Sequence, residues 1–244
     1  MDSLERSIKL KAHIVQPPKP GLLKKTGWSI MLFLAVMVSL IVSPYLTLNP
    51  EGYFPEQKAV YIAHITILIV HVVASMLAIL IGPFQFLPGI RKGRWLTFHR
   101  WLGRSYLVSV LFGGLSGLYM AQLAYGGTIS RLGFTALAIL WLFSGFKAYK
   151  HIRNKEITSH REWMTRNYAL TFAGVMLRVW NPIFDAIGID FTTGYIVVAW
   201  LAWVPNLIVA QWMISRIRRS QRSSKGVDLP STSVNRQKTA QIDF

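Results

Sequence analysis

The sequence contains no cysteine. That excludes disulfides, iron–sulfur clusters and thiolate-ligated haem. Acidic residues are scarce, with 10 Asp and Glu against 27 Lys and Arg and a formal net charge of +17. No carboxylate or thiolate accompanies the histidines inside the apolar segments, so a tight divalent-metal site lacks its ligands. There is no phosphate-binding Walker loop, zinc-protease helix motif or nucleophile elbow. No aromatic residue is interleaved with the basic residues of the C-terminal tail, so the stacking surface that nucleic acid would use is missing. The expected reading of the positive charge is therefore topology and contact with anionic lipid headgroups, with no nucleic-acid partner.

What is present is apolar sequence. The chain is 244 residues long and 52% hydrophobic, with a mean hydropathy of +0.36, which is the composition of an integral membrane protein. Six segments approach the roughly 20 residues needed to cross a bilayer core. They are Trp28 to Leu48, Tyr61 to Gly82, Phe98 to Tyr125, Leu132 to Tyr149, Trp163 to Phe184 and Thr193 to Ile214. The expected fold is all-α, an integral membrane bundle of six transmembrane helices. Residues 1–27 form a basic tail in which Gln16-Pro17-Pro18-Lys19-Pro20-Gly21 excludes regular helix. A cleavable signal peptide is not expected, because the apolar run is of full span length. Residues 28–215 form the transmembrane domain, and residues 216–244 a basic tail expected to be disordered.

Loop charge sets the orientation. Arg6, Lys9, Lys11, Lys19, Lys24 and Lys25 precede the first segment, whereas the next loop has Lys58 beside Glu51 and Glu56. Arg91, Lys92, Arg94, Arg100 and Arg104 surround the start of the third segment, and Arg131 stands alone after it. Lys147, Lys150, Arg153, Lys155, Arg161 and Arg166 follow, then Asp185 and Asp190 with no cation, then Arg216, Arg218 and Arg219. Alternate loops are basic, so both termini are expected in the cytoplasm of a multi-pass cell-membrane protein.

The fifth segment carries the chemistry. Asn167, Thr171, Gly174, Arg178 and Asn181 recur at helical spacing on one stripe, with His160 and Asp185 at its ends. An intramembrane charge costs several kcal/mol, so the stripe must face other helices rather than lipid. On the second segment His64 and His71 share a face with Tyr61, Leu68, Ser75, Ala78, Gly82 and Gln85. His71 falls roughly 15 Å below the outer end, near mid-membrane. His99 and His160 open the third and fifth segments at the cytoplasmic interface. Ser109, Gly113, Gly117 and Ala121 form a small-residue seam for helix packing. Pro205 should kink the sixth segment, leaving Asn206 to satisfy freed backbone groups or line a cavity.

Histidines placed this way fit haem ligation, metal ligation, proton relay or a buried hydrogen bond to a neighbouring helix. Arg178 fits an anion partner, a pair with Asp185, or a side chain reaching the outer surface.

Gly82-Pro83-Phe84-Gln85-Phe86, His99-Arg100-Trp101-Leu102-Gly103-Arg104, and His160-Arg161-Glu162-Trp163-Met164 with Arg166 and Arg178 resemble the signature of an uncharacterised bacterial membrane family, domain of unknown function 2306. The resemblance spans roughly Ile62 to Trp212 and implies a multi-pass membrane protein without an agreed activity. A more distant likeness is to di-haem membrane cytochromes, which place paired histidines on facing helices. Here only His71 is mid-membrane, so one haem is easier to build than two.

The leading expectation is a membrane protein binding haem b for electron transfer, with His71, His99 and His160 as ligands and Arg178 as anion partner. Haem iron would then be the only metal, and a redox partner or a second copy is an open expectation. The rivals are a small transporter or proton-coupled carrier using His71 and Arg178, with His64, Asn167, Thr171, Asn181 and Asn206 lining a polar interior, and a structural or lipid-interacting protein. Enzymatic activity is left open, leaning against; if present, it would be that of a membrane oxidoreductase.

Overall fold

The computed structural model describes residues 22–227, with side chains over residues 25–221. Most of the basic N-terminal tail and the end of the C-terminal tail, including His13, lie outside the described residues. The described chain is helical throughout. In order it forms α1 (Leu22–Val42), α2 (Lys58–Ala63), α3 (Ile65–Gln85), α4 (Leu96–Gln122), α5 (Gly127–Arg153), α6 (Ile157–Thr171), α7 (Ala173–Ala186), α8 (Phe191–Leu201) and α9 (Val204–Val227), with short 3-10 turns between α1 and α2 and between α3 and α4.

Among the described residues, four stretches are long and apolar enough to cross a membrane: Lys25–Thr47, Ile65–Gln85, Gly127–Arg153 and Phe191–Gln221. The other two expected segments differ for physical reasons. Helix α4 is long enough at 27 residues, but its glycine, serine and tyrosine content dilutes its hydropathy. The fifth segment divides at Phe172 into pieces of 15 and 14 residues, each too short to span alone.

Three expected helices are interrupted. The second breaks at His64, whose backbone (φ −119°, ψ 33°) is not helical. The fifth breaks at Phe172, and the sixth at Ala202 and Trp203, just before Pro205. The C-terminal end corrects the expectation in another way. Helix α9 continues past Arg216 to Val227, over residues read from sequence as disordered. A tertiary contact accounts for this: Arg218 donates from Nε to Glu162 Oε1 at 2.6 Å and from its second nitrogen to Oε2, pinning α9 to α6.

The fifth segment is the hub. Helix α6 packs on α5, α9 and α3, and α7 packs on α8 and α1. The core gathers Ala78, Tyr106, Val110, Trp141, Tyr168, Leu170, Ala173 and Val198 from α3 to α8. Close approach depends on glycine at the helix crossings. A Cβ at Gly82 would overlap the Tyr168 ring, and one at Gly113 would meet Trp141 at 3.0 Å. The small-residue seam of α4 therefore faces both α3 and α5.

Candidate functional site

Three polar regions lie along the bundle. The middle one is built by α4, α5 and α6. Asn167, wholly buried, accepts from Tyr106 Oη through Oδ1 at 2.6 Å. Its Nδ2 donates to the Trp141 carbonyl and to Ser144 Oγ, both at 2.8 Å. Thr171 Oγ1 accepts from Trp141 Nε1 at 2.8 Å, lies 2.9 Å from Tyr106 Oη, and donates to the Asn167 carbonyl at 3.0 Å. Every polar atom of Asn167 and Thr171 is engaged, which is what a low-dielectric interior demands. These two residues of the expected interior thus form a closed network that ties three helices. Asn206 is engaged likewise, donating to the carbonyls of Ala202 at 2.9 Å and Ala169 at 3.3 Å across the Pro205 break.

The second region surrounds Arg178 on α7. Its Nη1 donates to the Gly174 carbonyl at 3.0 Å. Among the described residues no carboxylate lies within 4 Å of it, so the expected pairing with Asp185 does not form. No ring lies beneath its guanidinium either, although six such contacts occur elsewhere. Its charge acts instead on the hydroxyls of Tyr45, Tyr61 and Tyr195, and on His71. The rings of Tyr45 and Tyr53 stack at 5.3 Å, and Tyr61 meets both edge-on. Tyr53 is only 4% exposed, yet its hydroxyl has no partner; the indole N–H of Trp180, two residues from Arg178, is also buried and unbonded. A cavity of about 380 Å³, lined by Asn181, Phe184, Asp185, Asp190 and Tyr195 among others, reaches this region at Tyr195 and is not lined by Arg178, Tyr53 or Trp180. Sequence reading missed Tyr45, Tyr53 and Tyr195. Their only signal was aromatic enrichment near one interface, which an interfacial belt explains equally well.

The third region is at the opposite end. His99 and His160 act on one another electrostatically, and Arg91, Arg100 and Arg161 add their charge to His99. Burial, with Arg161 nearby, pulls the Arg91 guanidinium below its ordinary value.

The structure therefore separates the expected ligands into two groups. His71 Nδ1 lies 2.9 Å from the Gly113 carbonyl, and its ring packs against Gly117. Fourteen residues of α4 separate His99 from Gly113, about 21 Å along a helix axis. His71 belongs with Arg178, while His99 belongs with His160. His64 belongs to neither group; its Nδ1 lies 3.1 Å from Tyr119 Oη.

A family model described as predicted membrane protein, domain of unknown function 2306, matches residues 68–214. That is more than half of the chain. The chain belongs to this family. No curated protein and no solved structure matches it. As a member of the family it is a membrane protein. The matched stretch holds His71, His99, His160 and Arg178, whereas Tyr45, Tyr53, Tyr61 and His64 lie before it.

Haem can be tested against this family member's geometry. His71 Nδ1 and His160 Nδ1 both rest on backbone carbonyls, at 2.9 Å from Gly113 and Ala148, which would leave Nε2 of each ring as the iron ligand. The two rings lie in different regions, however. Neither the cavity near Asn181 nor the larger one of about 480 Å³, between α5, α6 and α9, is bordered by a histidine.

Proposed function

We propose that this protein is a small carrier of organic monoanions that crosses the membrane six times with both termini in the cytoplasm, and that Arg178 is its anion-binding cation. One observation carries the reading: Arg178, in the apolar fifth segment, has neither a carboxylate nor an aromatic face against it among the described residues. A guanidinium in that position is stabilised by an anion held through two parallel N–H···O bonds. Two buried donors in this part of the bundle are also unbonded, Tyr53 Oη, on the ring stacked against Tyr45, and Trp180 Nε1, two residues along α7, and both can serve an acceptor-only ligand such as a carboxylate. The interruptions at Phe172 and at Ala202 and Trp203 support the same reading, since discontinuous spans are a recurrent device of carriers. The asymmetry of basic residues supports the orientation and a cell-membrane location.

The test is uptake of radiolabelled acetate, lactate and benzoate into liposomes holding the purified protein. Uptake above empty liposomes is expected for at least one, and Arg178→Gln should abolish it while its circular dichroism stays native. No uptake of any of the three would overturn the reading. A Soret band in protein expressed with ample haem would return the assignment to electron transfer. Topology is tested separately with reporter fusions. Gly126 and Gly188 should read as external, Lys155 and Ser224 as cytoplasmic; a cytoplasmic Gly188 breaks the six-span arrangement.

A further inference from the structure

Helices α4 and α6 begin alike. Leu96-Thr97-Phe98-His99 opens α4 and Ile157-Thr158-Ser159-His160 opens α6, so each helix carries histidine as its fourth residue and arginine, Arg100 or Arg161, as its fifth. Neither helix has an acidic residue in its first turn or a side chain capping its start. The first amides of the two helices are taken, Leu96 by the Gly93 carbonyl and Ile157 by that of Lys155, so what each start offers is the positive end of its dipole. The two starts lie side by side at one depth: Tyr106, seven residues past His99, bonds Asn167, seven residues past His160, at 2.6 Å, so the two histidines fall two turns below that contact on the facing sides of α4 and α6.

The charges around them are of one sign. Arg91, Arg100 and Arg161 face His99, and Arg161 and His151 face His160. The acids at this end are engaged elsewhere. Glu156 bonds His151 at 2.6 Å and Asn154 at 3.4 Å, and Glu162 takes Arg218. Two buried polar atoms lack partners here. One is Nδ1 of His99, and the other is Nε2 of Gln85, a residue only 9% exposed. Gln85 lies across from His99's own helix face: its Oε1 would be 3.5 Å from a Cβ on Gly103, one turn beyond His99.

We infer that the adjacent starts of α4 and α6 bind a phosphate group, through Arg161, the His99 and His160 imidazoles and the Gln85 amide, with Arg91, whose guanidinium donates to the Leu87 and Phe86 carbonyls, adding its charge. Three features select phosphate over a carboxylate. Donors come from three elements, α3, α4 and α6, rather than from one planar fork, two helix dipoles point their positive ends at the site, and the surplus of positive charge suits more than one negative charge. The phosphate can come from a lipid headgroup or from a soluble phosphate, since this end lies where apolar helix gives way to basic loops. The site is independent of the carrier reading, being at the other end of the bundle from Arg178.

The test uses the full-length protein in detergent, freed of lipid, with unfolding followed by intrinsic tryptophan fluorescence. Inorganic phosphate is titrated against chloride at equal ionic strength, and phosphatidic acid against diacylglycerol in mixed micelles. A rise in melting midpoint with phosphatidic acid alone assigns a lipid headgroup; a rise with both admits free phosphate. Either supports the site, provided Arg161→Gln raises the half-saturating concentration about tenfold, as loss of a charge-assisted bond should. Arg153→Gln, a charge change on the neighbouring turn, and Arg178→Gln should leave the rise in place. Should Arg161→Gln fail to fold, His99→Gln serves as the second variant, with the same expected weakening. No rise with either probe, or a rise indifferent to the folded Arg161 or His99 variant, overturns the inference.

Discussion

Two polar regions of one segment, seven residues apart, follow opposite rules. At Thr171 and Asn167 every donor and acceptor has a partner within the protein. At Arg178 the charge has one backbone carbonyl, and among the described residues two buried donors in that part of the bundle, Tyr53 Oη and Trp180 Nε1, have none. Water cannot supply the missing bonds inside a bilayer, so an unsatisfied group there costs several kcal/mol unless a ligand arrives. The closed network holds helices together. The open one is where the proposed anion would bind. A polar residue in a membrane span thus has its role decided by whether its neighbours complete its bonds.

The comparison can be broken most severely at Asn167. Asn167→Ala removes the shared partner of Tyr106, Trp141 and Ser144, leaving Tyr106 Oη with Thr171 alone and Ser144 Oγ with the Trp141 carbonyl alone. A loss of roughly 2–5 kcal/mol in unfolding free energy is expected, read as a lower melting midpoint in detergent. A midpoint within a degree of native would show that the network is not structural.

Gly117 tests the neighbouring contact. A Cβ there would stand 2.9 Å from His71 Cε1, so Gly117→Leu must push α4 from α3. Overpacking of this kind costs about 1–3 kcal/mol. An unchanged midpoint would place Gly117 against lipid instead of His71.

The sharpest contrast is at Arg178, where the expected stability change is the smallest or of opposite sign. Replacing an unpaired intramembrane charge with Gln should leave the midpoint unchanged or raise it, while uptake is lost. Tyr53→Phe, which deletes an unbonded hydroxyl, should behave alike, with native stability and weaker uptake. Destabilisation by either variant comparable to that of Asn167→Ala would make Arg178 part of the scaffold.

Much of the fold was legible in sequence. Apolar runs separated by basic and non-basic loops yielded helices whose centres match the expected segments, and α5 extends its expected span by a few residues at each end. Of the fifth-segment stripe, Asn167 and Thr171 are buried against other helices, as their polarity within an apolar run predicts, while Arg178 and Asn181 are partly exposed. The interruptions at His64 and Phe172 were not legible, since neither residue breaks a helix by its own propensity. The extension of α9 was hidden because a run of Ser, Arg, Lys and Gln reads as disordered until Glu162 holds Arg218.

At the exposed turn between α5 and α6, His151 lies 2.6 Å from Glu156 and holds its carboxyl below the usual carboxylate range. The pair's small contribution is present above the ordinary carboxylate value and fades as pH falls through the lowered one.

The sequence by itself determined the class of the molecule. Absent cysteine, scarce acids, long apolar runs and alternating basic loops are properties of composition and local order, and they fix a helical membrane protein and the chemistry it lacks. Only the tertiary structure decided which polar groups are closed and which are open. Asn167 is completed by Trp141, 26 positions away, and Tyr168 by Ile79, 89 positions away, while Arg178 meets no such partner. Those partners arrive through helix crossings permitted at Gly82, Gly113 and Gly145, so satisfaction is a property of how helices meet and not of the residue that needs it.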